Sequence, residues 1–386
     1  MIELYPWQKK AYKKWRLSGR RGTIDSPTGS GKSHIGLKVI EKYADSKSIL
    51  IVVPYISLLD QWYEKIRDLL GIKIDRIGRI GGSHHDFSCR ISVAVVNSVR
   101  NLPEIKRDIL ILDEIHHMSS KENFKFIKRG LYGWVLGFSA TPENEGEDRN
   151  RVIEYYAPIV YKYKIKDAVD DGVLSKHSVI FVESKLTSDE RARYNEVQKY
   201  INMRRPPVIK SFASLPPNLK KAYQERKNIA NNAENKIKIT DAIIRQNKDQ
   251  KIIVFCEHIK MADAISNEVE EKHAIYHSEV KAREDHLLRF KCNNVRLLIS
   301  CKALDEGMDC PSASIGIVAS GTKVSRQSVQ RIGRILRKQE GKHAILYVLY
   351  SLGTTEEHDA KNKAAIYKDG ASNIKWVKQS EILNGD

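Results

Sequence analysis

The stretch Ser26-Pro27-Thr28-Gly29-Ser30-Gly31-Lys32-Ser33 constrains this chain more than any other. It ends in Gly-Lys-Ser. A short run from Gly22 to Asp25 precedes it, and apolar residues at helical spacing follow it (Ile35, Leu37, Val39 and Ile40). A loop between a strand and a helix turns backbone N–H groups toward one point, and the helix N-terminus adds partial positive charge there. That arrangement suits phosphate. Thr28, Gly29, Ser30 and Gly31 would wrap it, Lys32 would reach the outer phosphates, and Ser33 would hold Mg²⁺. The pattern asks for glycine at position 26, where this chain has Ser26. Taken alone, the stretch also reads as a plain connecting loop.

Such a loop needs a sheet to carry it, and the chain supplies one. Ser48 to Val53 is a β-branched apolar run stopped by Pro54. Ile91 to Val96 is closed by Asn97-Ser98. Ile109 to Leu112 ends in Asp113-Glu114-Ile115-His116, and Val135 to Phe138 ends in Ser139-Ala140-Thr141-Pro142. All four read as buried strands of a parallel sheet, and Leu58, Leu59, Trp62 and Ile66 mark a helix between them. A second series starts at Ile252–Cys256. It continues through Ala274–Tyr276, Val295–Ser300 and Ile315–Ala319, and Ala344–Leu349 is expected to close the sheet. Alternation of strands with helical patterns predicts an α/β fold of two tandem domains, parallel sheets flanked by helices. The expected boundaries are 1–165 and 166–352, with a transition over 143–182 and a polar tail at 353–386.

Polar residues at strand ends sit where open α/β sheets bind ligands. Asp113-Glu114 is the informative pair. Beside a phosphate loop the Asp would hold Mg²⁺, and the Glu would take a proton from an attacking water. Near the N-terminus, Tyr5 and Trp7 offer π-faces and Gln8 an amide, groups that can read an adenine; the plainer reading is an apolar helix start. His84-His85 and His116-His117 are adjacent pairs, which do not share a face and so do not suit a metal.

Lys and Arg number 66 against 48 Asp and Glu, a net charge of +18, which favours a polyanionic partner. The helical pattern after Gln8 is basic (Lys9, Lys10, Lys13, Lys14 and Arg16). A longer basic stretch at 185–238 includes Arg193, Arg204, Arg205, Lys220, Lys221 and Lys236, interleaved with Tyr194, Tyr200, Phe212 and Tyr223 and broken by Pro206-Pro207 and Pro216-Pro217. It reads as helices whose face could grip a nucleic-acid backbone, or as a solvated helical insertion. The five scattered cysteines form no Cys-x-x-Cys, and no apolar run reaches membrane-spanning length. A cytoplasmic protein without a membrane partner is expected.

In order, these features resemble a superfamily 2 helicase core, a likeness that covers roughly residues 1–350. Gln8 resembles the adenine-reading glutamine, and Gly29 to Ser33 motif I. Pro54 to Trp62, including Ser57, is similar to motif Ia, and Val96-Asn97-Ser98 to motif Ic. Asp113-Glu114-Ile115-His116 is a DEIH form of motif II, and Ser139-Ala140-Thr141 resembles motif III. Phe255-Cys256-Glu257 falls at motif IV. Ser300, Gly307 and Asp309 resemble motif V, and Gln330, Gly333, Arg334 and Arg337 motif VI. The resemblance implies two RecA-like domains with ATP and Mg²⁺ as cofactors. It also implies nucleic-acid contacts at Pro54, Ser57, Asn97, Ser98 and Ser300. Tyr5, Gly307 and Asp309 would join the nucleotide site, and Gln330, Arg334 and Arg337 would complete catalysis beside Lys32 and Glu114.

Within the superfamily the chain is most similar to XPB-type DNA repair helicases, phage UvsW-type helicases and restriction-motor ATPases. Gln61-Trp62, the Leu186–Tyr194 run and the Lys323–Arg337 block carry that likeness, and the basic stretch at 185–238 sits where the XPB type has a thumb-like element. Two departures stand out. Gly146-Glu147-Asp148 replaces the family's Arg-Glu-Asp triplet, and the family's arginine near the glutamine motif is replaced around Tyr5. The resemblance implies an ATP-dependent DNA helicase or translocase in repair, recombination or replication. It would act as a monomer on duplex, forked or single-stranded DNA, with accessory nuclease or repair proteins as partners. The alternatives are a restriction or remodelling motor without strand separation, and an RNA helicase.

Overall fold

A computed structural model describes residues 1–386 except 103, 141–151, 153–154, 207–211, 302–312, 322–342, 369 and 385–386. The described residues divide into two units, Met1–Leu174 and those from Ser175 onward, so the division falls beyond the expected 165/166. Gly307, Asp309, Gln330, Arg334, Arg337 and the 146–149 segment lie outside the described residues.

The first unit is built on an eight-stranded sheet. Its strands are β1 (Arg21–Asp25), β2 (Ile49–Val53), β3 (Ile77–Gly81), β4 (His84–His85), β5 (Ile91–Val95), β6 (Lys106–Leu112), β7 (Leu131–Ser139) and β8 (Ile159–Lys162). They lie in the order β4-β3-β5-β2-β6-β7-β1-β8. All neighbours are parallel except β3 and β4. Helices cover both faces, so every residue of β2 and β5 is buried, which is why those strands read as unbroken apolar runs.

Three helices flank the loop and the acidic pair: α1 (Pro6–Leu17), α2 (Ser33–Tyr43) and α3 (Ile56–Leu70). Pro6 opens α1, where its missing N–H costs nothing, and Gly71 ends α3 at φ 64°. Because β1, β7, β6 and β2 are adjacent and parallel, the segments leaving their C-terminal ends emerge along one sheet edge.

The second sheet has seven parallel strands in the order β11-β12-β10-β13-β14-β9-β15. These are β9 (His177–Ser184), β10 (Ile252–Cys256), β11 (Ala274–Tyr276), β12 (Leu297–Cys301), β13 (Ile315–Val318), β14 (Ala344–Ser351) and β15 (Asn373–Val377). Two expectations are corrected. Residues 143–182 are more than a transition, because β9 lies within the sheet, paired with β14 along its whole length. β14 does not close the sheet: β15, from the expected tail, pairs with the other side of β9 and stacks Trp376 on Phe181 at 4.4 Å.

The basic stretch at 185–238 is likewise more than an insertion. Helices Ser188–Arg204 and Pro217–Asn231 pack on each other through Val197, Ile201, Leu219 and Ala222. The next helix, Glu234–Gln246, belongs to the core of the unit through Ile239, Ile243 and Ile244. Lys236, expected on a basic face, is fully buried with its ammonium 2.6 Å from Glu356. Among the described residues no helix is long and apolar enough to cross a membrane.

Candidate active site

The segment Ser26–Lys32 leaves β1 and enters α2 as expected. Gly29 and Gly31 both sit at φ 86°, a left-handed conformation that strains any other residue. Ser30 Oγ donates to the Pro27 carbonyl at 2.8 Å and tightens the turn. Gln8 reaches across from α1: its Nε2 donates to the Gly31 carbonyl at 2.9 Å, while its Oε1 accepts from the Tyr5 backbone N–H at 2.8 Å. Gln8, expected to read adenine, is seen here as a brace on the loop. Tyr5 is exposed, and its ring is accessible. Trp7 is not: it is buried and stacked on Tyr163 at 4.4 Å, so its π-face is spent on packing.

Asp113 and Glu114 follow β6, two strand positions from β1. Lys32 Nζ donates to Glu114 Oε1 at 2.6 Å, with both side chains nearly buried. Burial works against the charge on Lys32, but Glu114, Asp113 and Asp25 outweigh it and hold the ammonium above the ordinary lysine pKa. Burial alone would raise Glu114; Lys32, with help from His116, overcomes it and pulls the carboxyl well below the usual range. Asp113 goes the other way: burial, reinforced by Glu114, raises it against the pull of Lys32. Glu114 is held at φ 48° and ψ 53°, a region costly to a residue with a side chain and often found at functional sites.

Neighbouring groups fix the pair. Trp62 Nε1 on α3 donates to Asp113 Oδ2 at 2.8 Å, and the Glu114 backbone N–H donates to Asp113 Oδ1 at 3.0 Å. His116 Nδ1 lies 2.9 Å from Ser139 Oγ at the end of β7, and the Ser26 N–H donates to the Ser139 carbonyl at 2.9 Å. One residue thus links the phosphate loop to the DEIH segment. Lys65, on the same face of α3 as Trp62, donates to Ser33 Oγ at 3.3 Å. The sequence assigned no role to Lys65, and Trp62 stood out there only as an apolar helix position and a mark of likeness. Their i, i+3 spacing on one helix was the available signal.

The residues fit a Mg²⁺–triphosphate. Ser26 Oγ and Thr28 Oγ1 are buried with no hydrogen-bond partner among the described residues, a cost that phosphate oxygens would relieve. Asp113, with its pKa raised by burial, is a carboxyl that a divalent cation would ionise.

The expected nucleic-acid residues fall into four places. Pro54 is buried and Ser57 half-buried where β2 passes into α3, while Asn97 is exposed and Ser98 half-buried in the short helix Val96–Val99 after β5. Arg204, Arg205 and Lys221 are exposed, and Lys220 half-buried, on the helical pair of the second unit. Ser300 is 2% exposed, paired between Phe255 and Tyr276 within the sheet, so its side chain is not at a surface.

Residues 1–144 match the family model for the type III restriction enzyme, res subunit, and residues 235–339 that for the helicase conserved C-terminal domain. The chain is 30% identical over 372 residues to the DNA 3'-5' translocase XPB2 of Sulfurisphaera tokodaii, covering 92% of this chain and 83% of that protein. It is 24% identical over 357 residues to the DNA 3'-5' helicase XPB of Mycobacterium tuberculosis, covering 88% of this chain and 60% of the relative. It spans 56% and 50% of two further curated relatives. The Pyrococcus furiosus Hef helicase domain superposes with a TM-score of 0.61 over 94% of this chain and 98% of that one, at 14% identity, a likeness of fold.

Proposed function

The chain belongs to the XPB-type family of superfamily 2 helicases, and from that premise we propose that it is an ATP-dependent DNA helicase or translocase. It is an ATP-hydrolysing enzyme whose turnover serves movement along, or remodelling of, DNA. The observation that carries this reading is the Lys32–Glu114 contact of 2.6 Å at one sheet edge, with Asp113 oriented beside it.

Bound Mg²⁺ and ATP would supply the phosphoryl group and the dication. Gly29 to Ser33 would cradle the phosphates, with Ser33 and Asp113 on the metal. The Lys32–Glu114 ion pair would keep the site quiet at rest. While Lys32 holds Glu114 Oε1, the carboxylate is a poor base. When Lys32 turns to phosphate, Glu114 loses its largest stabilising charge and burial raises its basicity. It can then accept a proton at Oε2, near which His116 Nδ1 lies at 3.5 Å. Arg334 and Arg337 are carried by the family likeness as γ-phosphate groups, and Gly307, Asp309 and Gln330 as their neighbours. Asn97 and Ser98, and Arg204, Arg205, Lys220 and Lys221, are the candidate DNA contacts.

The match of residues 1–144 to a restriction subunit supports a second reading, a motor that tracks duplex DNA without separating it. ATPase stimulation by duplex DNA, single-stranded DNA and RNA, followed by displacement of a labelled strand, distinguishes the two. Stimulation by DNA with displacement is the result expected of a helicase. Stimulation by duplex without displacement selects the translocase, and stimulation by RNA alone contradicts both.

A further inference from the structure

The outward face of α1 plays no part in the nucleotide site. Trp7, Gln8, Ala11 and Trp15 point inward and are buried. Lys9, Lys10, Lys13, Lys14 and Arg16 point outward and are exposed. At 100° per residue they occupy two adjoining stripes, Lys9-Lys13-Arg16 and Lys10-Lys14. The helix has no acidic residue, and none of the five makes an ion pair among the described residues. Two lysine pairs stand at i, i+4, a spacing at which like charges each cost about 0.2–0.5 kcal/mol. An ordinary solvated helix mixes its signs to avoid that repulsion. Here it is left uncompensated, on a helix whose buried face is otherwise well formed.

We propose that this face of α1 is a second phosphate-binding surface, occupied by the backbone of duplex DNA. A charge-dense face with no internal counterion is complementary to a regular polyanion, whose condensed cations it would release. The surface is separate from the Asn97-Ser98 contact. α1 packs on β1 and β8, and β1 stands four strand positions from β5 in the sheet, roughly 19 Å at about 4.8 Å per step. The same helix carries Gln8, whose amide holds the Gly31 carbonyl. A backbone docked on α1 therefore bears on the element that braces the phosphate loop. The choice of DNA over another polyanion rests on the proposed helicase or translocase function.

The test compares the full chain with a combined Lys9→Gln, Lys10→Gln, Lys13→Gln and Lys14→Gln variant, and with the corresponding Lys→Arg set. Binding of a fluorescein-labelled duplex is titrated at increasing NaCl. The glutamine variant relieves two repulsive lysine pairs, so it should keep its DNA-free ATPase and melt no lower than the parent, which establishes that it folds. Its plot of log K against log[NaCl] should be shallower, by roughly 0.9 for each phosphate no longer neutralised and up to about 3.6 for four. The arginine set should keep the parent slope. An unchanged slope in the glutamine variant overturns the surface while leaving the proposed function standing. A parent chain that binds no DNA overturns the function and this occupant together. Loss of binding to phosphatidylserine vesicles with the duplex slope intact assigns the face to membranes and overturns the proposal.

Discussion

Trp62 shows how much of the site depends on residues that perform no chemistry. Its indole N–H orients the carboxylate of Asp113, and its ring packs where α2 comes closest, over Gly36. Trp62→Phe keeps one aromatic ring in place but deletes the donor together with the rest of the buried indole. A buried hydrogen bond to a carboxyl is worth about 1.5–3 kcal/mol, so the variant should lose stability of that order in urea denaturation. It should also need more Mg²⁺ for half-maximal ATPase; an unchanged Mg²⁺ requirement would remove Trp62 from the site. Lys32, Ser33, Asp113 and Glu114 were legible in the sequence because each lies in a short motif at a strand end. The pairs that position them were not. Trp62 and Asp113 are 51 residues apart, Lys65 and Ser33 32 apart, and His116 and Ser139 23 apart. Strand order brings them together, and apolar periodicity does not encode strand order.

Elements carry the next set of constraints. α2 must approach Trp62 closely: a Cβ on Gly36 would lie 2.6 Å from the Trp62 ring and 3.2 Å from Phe138. Gly36→Ala should therefore cost about 1–3 kcal/mol through overpacking, although alanine is the better helix former. Because the ring that must move holds Asp113, ATPase should fall as well; thermal melting with an activity assay checks both. In the second unit, burial, with His343 beside it, pulls His177 down to about 4 from an ordinary 6.5. Below pH 6.5 the unfolded chain takes up a proton that buried His177 refuses until about pH 4. Stability is thus lost as pH falls through that window, by roughly 3 kcal/mol at about 1.36 per pH unit. Denaturation at pH 6.5 and pH 4 should show the loss, and His177→Leu should lose less. β9, which His177 opens, escaped the sequence reading because polar residues at both ends leave only a short apolar centre. β8 and β15 escaped it as short, half-exposed edge strands. The long buried strands β2, β5, β6 and β10 read clearly.

At the scale of the molecule, two parallel α/β units were expected from the repeated strand-and-helix pattern, and two are present. In the basic stretch at 185–238 net charge conceals pairing: Lys236, Arg193 and Lys227 are matched by Glu356, Glu225 and Glu257. Among the described residues, positive charge without an acid also lies on α1, whose basic face the sequence displayed openly. In the proposed function, the loop after β1 and the acids after β6 form one ATP-hydrolysing site that serves DNA. Steady-state ATPase of the parent chain and of Lys32→Ala, each with and without duplex DNA and paired with a DNA-binding titration, tests it most directly. The parent's turnover should rise with DNA. Lys32→Ala should lose about 10²-fold or more in turnover while its DNA binding stays measurable. Parent-like turnover in Lys32→Ala would contradict that assignment.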